Sequence, residues 1–243
     1  MEGICNLTLQ FLLIMYDLPS KNNDIPEPAI VCDGVTMHLG RHPILRDVHF
    51  AIPGGTLASL EGENGAGKTT LLKILSTLFI PESGDVRING FSVIQSPERV
   101  RSQIGFVPSD ERSFYWRLTG RQNLCFFAAL QGCYGRSARD RINELLKAAG
   151  LESQADLSFD RYSTGMKQLL GIIRAMLHNP SVLLMDEPTR SLSPQHVEQI
   201  HDLFREFTSF QGRTILMVSH SPEELSRLSD MRMVLENGQI TTR

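Results

Sequence analysis

The chain has 243 residues, 41% hydrophobic and 21% charged, the balance of a soluble globular protein with room for one large domain or two small ones. A formal charge of −3 supplies no electrostatic footprint for nucleic acid, so no such partner is expected. No run reaches the roughly 18 apolar residues of a membrane span, and Cys5, Cys32, Cys125 and Cys133 show neither metal-ligand nor disulfide-framework spacing, which points to a reducing cytosol.

The first 28 residues stand apart. Ile4 to Tyr16 is mostly apolar but only about 13 residues long, is interrupted by Asn6, Thr8 and Gln10, and lacks the positive flank of a secretory signal. Pro19 to Pro28 is polar and proline-rich, a linker by composition. Residues 1–28 therefore read as a poorly ordered leader and linker, or as sequence upstream of a true start at Met15, with a membrane-surface anchor as the alternative.

From Ala29 the pattern tightens into one domain over 29–243. Ala29 to Met37 and Val48 to Ile52 read as strands either side of a Gly40-Arg41-His42-Pro43 turn, and Thr56 to Leu60 alternates like another strand. Leu71, Ile74, Leu75 and Leu78 then fall on one helical face. After a turn at Pro81-Glu82-Ser83-Gly84, Val86 to Gly90 alternates like a strand of an antiparallel layer. Helical grammar takes over between about 109 and 179. Thr119 and Gln122 have capping-box spacing, Ser137 is a second N-cap candidate with Gly150 as the stop, and Ser163 opens a third helix ended by Asn179-Pro180. Val182 to Met185 and Ile215 to Val218 are continuous apolar runs, as expected of parallel strands covered on both faces. Finally Ser221-Pro222-Glu223-Glu224 has the N-cap, Pro and Glu order of a helix start.

Between the third strand and the first helix lies Gly62-Glu63-Asn64-Gly65-Ala66-Gly67-Lys68-Thr69-Thr70, the G-x-x-x-x-G-K-T spacing of a phosphate-binding loop. Glycines let successive backbone N–H groups surround a triphosphate, and the helix that follows turns its positive end to the same anion. Lys68 is expected at the β- and γ-phosphates, and the Thr69 hydroxyl on Mg²⁺. Asp186 and Glu187 end the Val182 strand. Asp186 is expected to hold Mg²⁺ and Glu187 to polarise a water, although two acids there could also cap the next helix. Ser163 could be no more than an N-cap, and a lone histidine such as His220 at a strand end is commonly structural.

Taken together, these motifs resemble the ATP-binding subunit of an ABC transporter, most like the ABC-2-type exporter ATPases of prokaryotes. The resemblance spans Ala29 to Arg243. It implies an α/β fold: a P-loop NTPase core with a mainly parallel sheet, an antiparallel β layer and an all-α helical subdomain. It makes Tyr162-Ser163-Thr164-Gly165-Met166 the counterpart of a Leu-Ser-Gly-Gly-Gln signature, with Ser163 and Gly165 binding a nucleotide held by a partner subunit. His220 becomes the switch histidine that orients Glu187. ATP and Mg²⁺ are the implied ligands, held by Gly62, Asn64, Gly65, Ala66, Gly67, Lys68, Thr69 and Thr70, with Glu187, His220 and Lys68 catalytic. The implied partners are a separate permease and a second ATP-binding subunit, identical or related. The implied location is cytoplasmic, peripheral at the inner face of the plasma membrane.

Three positions depart from the family pattern. Ser109 stands for a Gln, Ser193 for a D-loop aspartate, and Leu39 for an aromatic that would stack on adenine. They bear on rate and coupling more than on nucleotide binding. Two other readings are a nucleotide-dependent clamp or regulatory module outside transport, and a weakly hydrolysing partner subunit. Arg112-Ser113-Phe114-Tyr115-Trp116-Arg117 is expected either to face the permease or to pack inside the helical subdomain.

Overall fold

The computed structural model describes residues 28–110, 113–210 and 212–242, so the expected leader, Pro28 excepted, lies outside the described residues, as does Arg112. Two sheets organise the rest. In the first, β1 (Pro28–Leu39) and β2 (His42–Pro53) form an antiparallel hairpin, and β4 (Ser83–Ile88) and β5 (Phe91–Ser92) extend it in the order β2-β1-β4-β5. The second contains β3 (Leu57–Glu61), β6 (Ile104–Val107), β7 (Val182–Asp186), β8 (Thr214–Val218), β9 (Met231–Glu236) and β10 (Gln239–Thr242). Its order is β10-β9-β3-β8-β7-β6, parallel except for the β9–β10 hairpin.

The apolar runs of β7 and β8 have the expected cause. Val182 and Leu184 point into a core shared with the antiparallel sheet and the first helix, α1 (Lys68–Leu75). Leu183 and Met185 point the other way, into a core shared with α3 (Gly120–Leu130), α4 (Gly135–Ala148), α5 (Thr164–Met176) and α6 (Pro194–Ser209). Leu216 and Val218 of β8 alternate with Ile215 and Met217 in the same way. Each such side chain contributes roughly 1.5–3 kcal/mol by leaving water. Gly105 on β6 marks where strand and helix come closest: a Cβ there would meet the Ala175 carbonyl oxygen of α5 at 2.2 Å.

The sequence signals for helix ends mostly hold. Thr119 and Gln122 form a complete capping box, Ser163 accepts from Met166 N at 3.2 Å, and Ser221 caps α7 (Pro222–Leu228) through Glu224 N. Three readings need correction. Leu78 does not lie on the buried face of α1, because the helix ends at Leu75, Thr77 turns left-handed (φ 63°) and Leu78 is 61% exposed. Ser137 is not the N-cap of α4: the helix begins at Gly135 after Tyr134, and the Ser137 hydroxyl donates to the Tyr134 carbonyl. The short helix α2 (Pro97–Gln103), opened by Ser96 and Pro97, is absent from the sequence reading.

Candidate functional site

The end of β3 delivers the chain into the glycine-rich loop, and α1 carries it away. Only residues without a Cβ fit at two points. Gly62 (φ 151°) would place a Cβ 2.4 Å from the Leu235 carbonyl, and Gly67 (φ 110°) would place one 2.7 Å from the Ile44 side chain. The loop is thus pressed against β9 and β2 while its outer face stays open. Lys68 bends back over it, its Nζ donating to the carbonyls of Gly62 (2.7 Å) and Glu63 (2.9 Å). Burial lowers the Lys68 pKa, opposed by the Glu187 and Asp186 charges nearby.

Neighbouring strand ends supply the facing wall. The Thr69 hydroxyl donates to Asp186 Oδ2 at 2.8 Å, and Asp186 is buried at the tip of β7. Glu187 follows with φ 55°, left-handed for a residue that is not glycine, and its N–H donates to the Val218 carbonyl of β8 at 2.9 Å. Burial raises the Glu187 pKa and the Asp186 charge adds to that, while His220 opposes it. His220 Nε2 lies 3.2 Å from Glu187 Oε1. The angle is wrong for a hydrogen bond, so that buried oxygen has no hydrogen-bond partner.

These groups line one cleft of ≈ 660 Å³, together with Asn64, Gly65, Gly67 and Thr70. Ala66 lies on the other side of the loop, in an adjoining cleft with Asn64 and Gly65. The structure therefore brings together most of the site residues expected from sequence. It does not bring Ser163 and Gly165 to them. Ser163 is exposed at the start of α5, and Gly165 packs under the Ser191 carbonyl. Ser109 and Leu39 do line the cleft, and Ser193 stands at the N-cap position of α6 with its hydroxyl on the His196 side chain (Nδ1, 2.8 Å) rather than on a backbone N–H. Sequence reasoning passed over Arg190 and Ile44, which also line the cleft, because no spacing rule singles them out.

A parallel sheet with a glycine-rich loop, a following helix and an acidic strand end defines a P-loop nucleoside triphosphatase. A family profile described as ABC transporter matches residues 45–190. The chain is 34% identical to the ABC transporter ATP-binding protein NatA of Bacillus subtilis (strain 168), over 82% of this chain and 80% of that protein. It is 35% identical to the Nod factor export ATP-binding protein I of Paraburkholderia xenovorans (strain LB400), over 88% of this chain and 70% of that one. Among solved structures, the ATP-binding cassette MJ0796, a dimer in a post-hydrolysis state with ADP and Pi, superimposes with a TM-score of 0.80 at 26% identity, covering 88% of this chain and 97% of that one. The chain belongs to the ABC transporter family. It is an ATP-binding subunit, an ATPase that works with a membrane permease, and these relatives do not favour a clamp outside transport.

Proposed function

We propose that ATP is bound and hydrolysed in the cleft between the glycine-rich loop and Asp186, Glu187 and His220, with Mg²⁺ as cofactor. The observation that carries this reading is the meeting of an ammonium, a hydroxyl–carboxylate pair and a carboxylate–imidazole pair around one opening. Thr69 Oγ1 and Asp186 Oδ2 are hard oxygen donors 2.8 Å apart, the ligand type Mg²⁺ prefers, so these residues fit the ion. When bound, Mg²⁺ neutralises charge on the β- and γ-phosphate oxygens.

The remaining roles fall to the chain itself. Backbone N–H groups of Asn64, Gly65 and Gly67 to Thr70 surround the phosphates, while that of Ala66 is taken by the Glu63 carbonyl, and α1, which has no side-chain cap, presents its first turn to them. Lys68 exchanges its carbonyl partners for phosphate oxygens. Glu187, made more basic by burial, takes the proton of the attacking water, and His220 orients that carboxylate. Ser163, exposed outside the cleft, and the half-buried Gly165 act on the nucleotide of a second subunit, identical or related, as the dimeric state of the cassette MJ0796 suggests.

Residues 29–243 form this unit, with 109–179 as its helical subdomain. No helix among the described residues is long and apolar enough to cross a membrane, which fits a peripheral place on the cytoplasmic side of a separate permease. Export is the transport direction we assign, because a relative at 35% identity is named for Nod factor export. Titration calorimetry tests the site: Lys68→Ala should weaken ATP binding by about tenfold to a hundredfold, the value of one charged hydrogen-bonding group. Equal affinity in the two proteins would move the site elsewhere.

A further inference from the structure

Glu224 stands at the third position of α7 and is only 6% exposed. In a capping box its carboxylate would reach back to the Ser221 N–H. Here that N–H donates instead to Ser219 Oγ at 3.2 Å, and the carboxylate turns inward. Its Oε1 accepts from His201 Nε2 at 2.8 Å, and its Oε2 accepts from Ser219 Oγ at 2.6 Å. Burial alone would raise the Glu224 pKa, but hydrogen bonds from His201 and Ser219 oppose it and the value is held below the ordinary one. His201 is 2% exposed and its Nδ1 has no hydrogen-bond partner, so Glu224 is the ring's one hydrogen-bonded contact among the described residues.

The donors come from different places in the chain. Ser219 immediately precedes His220 and follows Val218, whose carbonyl accepts from the Glu187 N–H at 2.9 Å, and His201 lies on α6. One buried carboxylate therefore fastens the loop that carries His220, to which the Glu187 backbone is itself hydrogen-bonded, against a helix. Nothing in this arrangement faces the nucleotide cleft, and none of these side chains lines it. Meanwhile Glu187 holds a left-handed backbone (φ 55°) that a residue with a side chain keeps only when its surroundings enforce it.

We propose that Glu224, held by His201, is a positioning residue for hydrolysis: it anchors the β8 loop that carries His220 and whose Val218 carbonyl takes the Glu187 N–H, and so sets the approach of those two side chains. The inference rests on the reading of Glu187 and His220 as the hydrolytic pair.

Steady-state ATP turnover and ATP calorimetry on the full chain test it, with thermal denaturation alongside. His201→Phe keeps ring volume but removes the donor, and Glu224→Gln turns one accepting oxygen into a donor facing Ser219 or His201. Both should lower kcat by about tenfold to a hundredfold, as small misplacements of catalytic groups do, with KM and Kd for ATP within about twofold of wild type. His201→Gln, whose amide can still donate to the carboxylate, should recover most of that loss. In a Glu187→Gln background, His201→Phe should cause no further fall.

A lowered melting temperature with kcat unchanged in the folded protein would mean a purely structural clamp and overturn the proposal. So would losses that multiply with Glu187→Gln. Should His201→Phe fail to fold, Glu224→Gln reads the same split. If Glu187→Gln itself turns over at the wild-type rate, the base assignment fails separately. A kcat loss in His201→Phe would then still support positioning of His220, and its absence would overturn it.

Discussion

At position 187 both backbone and side chain are held away from their ordinary states. The φ of 55° aims the residue off the end of β7, and burial among Asp186 and the apolar strand ends makes its carboxyl harder to ionise. A buried carboxylate oxygen without a hydrogen-bond partner is costly unless it has work to do, and here it faces His220 across the cleft. Replacing Glu187 with Gln keeps the shape and removes the proton acceptor. Single-turnover ATP hydrolysis should then slow by about 100- to 10,000-fold, the usual range of a general base, with ATP affinity retained. A wild-type rate would place the base on another group.

Elements show where packing leaves no slack. β6 runs against α5 so closely that Gly105 has no room for a methyl group: the obstacles are the Ala175 carbonyl at 2.2 Å and the Leu183 side chain at 2.6 Å. Gly105→Ala should cost more than about 3 kcal/mol, beyond ordinary overpacking because a backbone carbonyl cannot rotate away. Chemical denaturation would show it as a lower midpoint.

The aromatic segment before α3 divides in two. Phe114 is buried, its ring 5.4 Å from that of Phe127 and 4.8 Å from that of Phe159, whereas Tyr115 is 50% and Trp116 is 62% exposed. Phe114 therefore packs inside the helical subdomain, and only Tyr115 and Trp116 are exposed enough to meet a partner. Phe114→Ala should destabilise the protein by about 3–5 kcal/mol. Tyr115→Ala and Trp116→Ala should leave the melting temperature and basal turnover nearly unchanged while weakening co-purification with the permease. Normal permease capture by both would remove this surface from the docking site.

For the whole molecule, the two cores lie on opposite faces of the six-stranded sheet, and the cleft opens where β3, β7 and β8 end side by side. Ser163 stands outside it, so a single chain assembles only part of the proposed site. Glu187→Gln with ATP should accumulate as a dimer on size-exclusion chromatography, because hydrolysis is what would reopen the pair. A monomer under saturating ATP would argue against the shared site.

Local grammar made much of this legible in sequence. The glycine spacing and Lys68-Thr69 mark a loop whose geometry depends on neighbours in the chain, and Asp186-Glu187 follows an apolar run that only a doubly covered strand explains. Caps at Thr119, Ser163 and Ser221 are equally local, since each hydroxyl acts within three residues. What sequence could not supply depends on distance through space. Leu78 obeys helical periodicity but leaves the core because the chain turns at Thr77. Arg190 and Ile44 enter the cleft only because strands far apart in sequence end together. His201 and Glu224 are 23 positions apart and read as an ordinary helix residue and an ordinary N3 glutamate. Only the packing of α6 against α7 and the β8 loop removes water from both, and that loss of water turns two common polar residues into a buried pair.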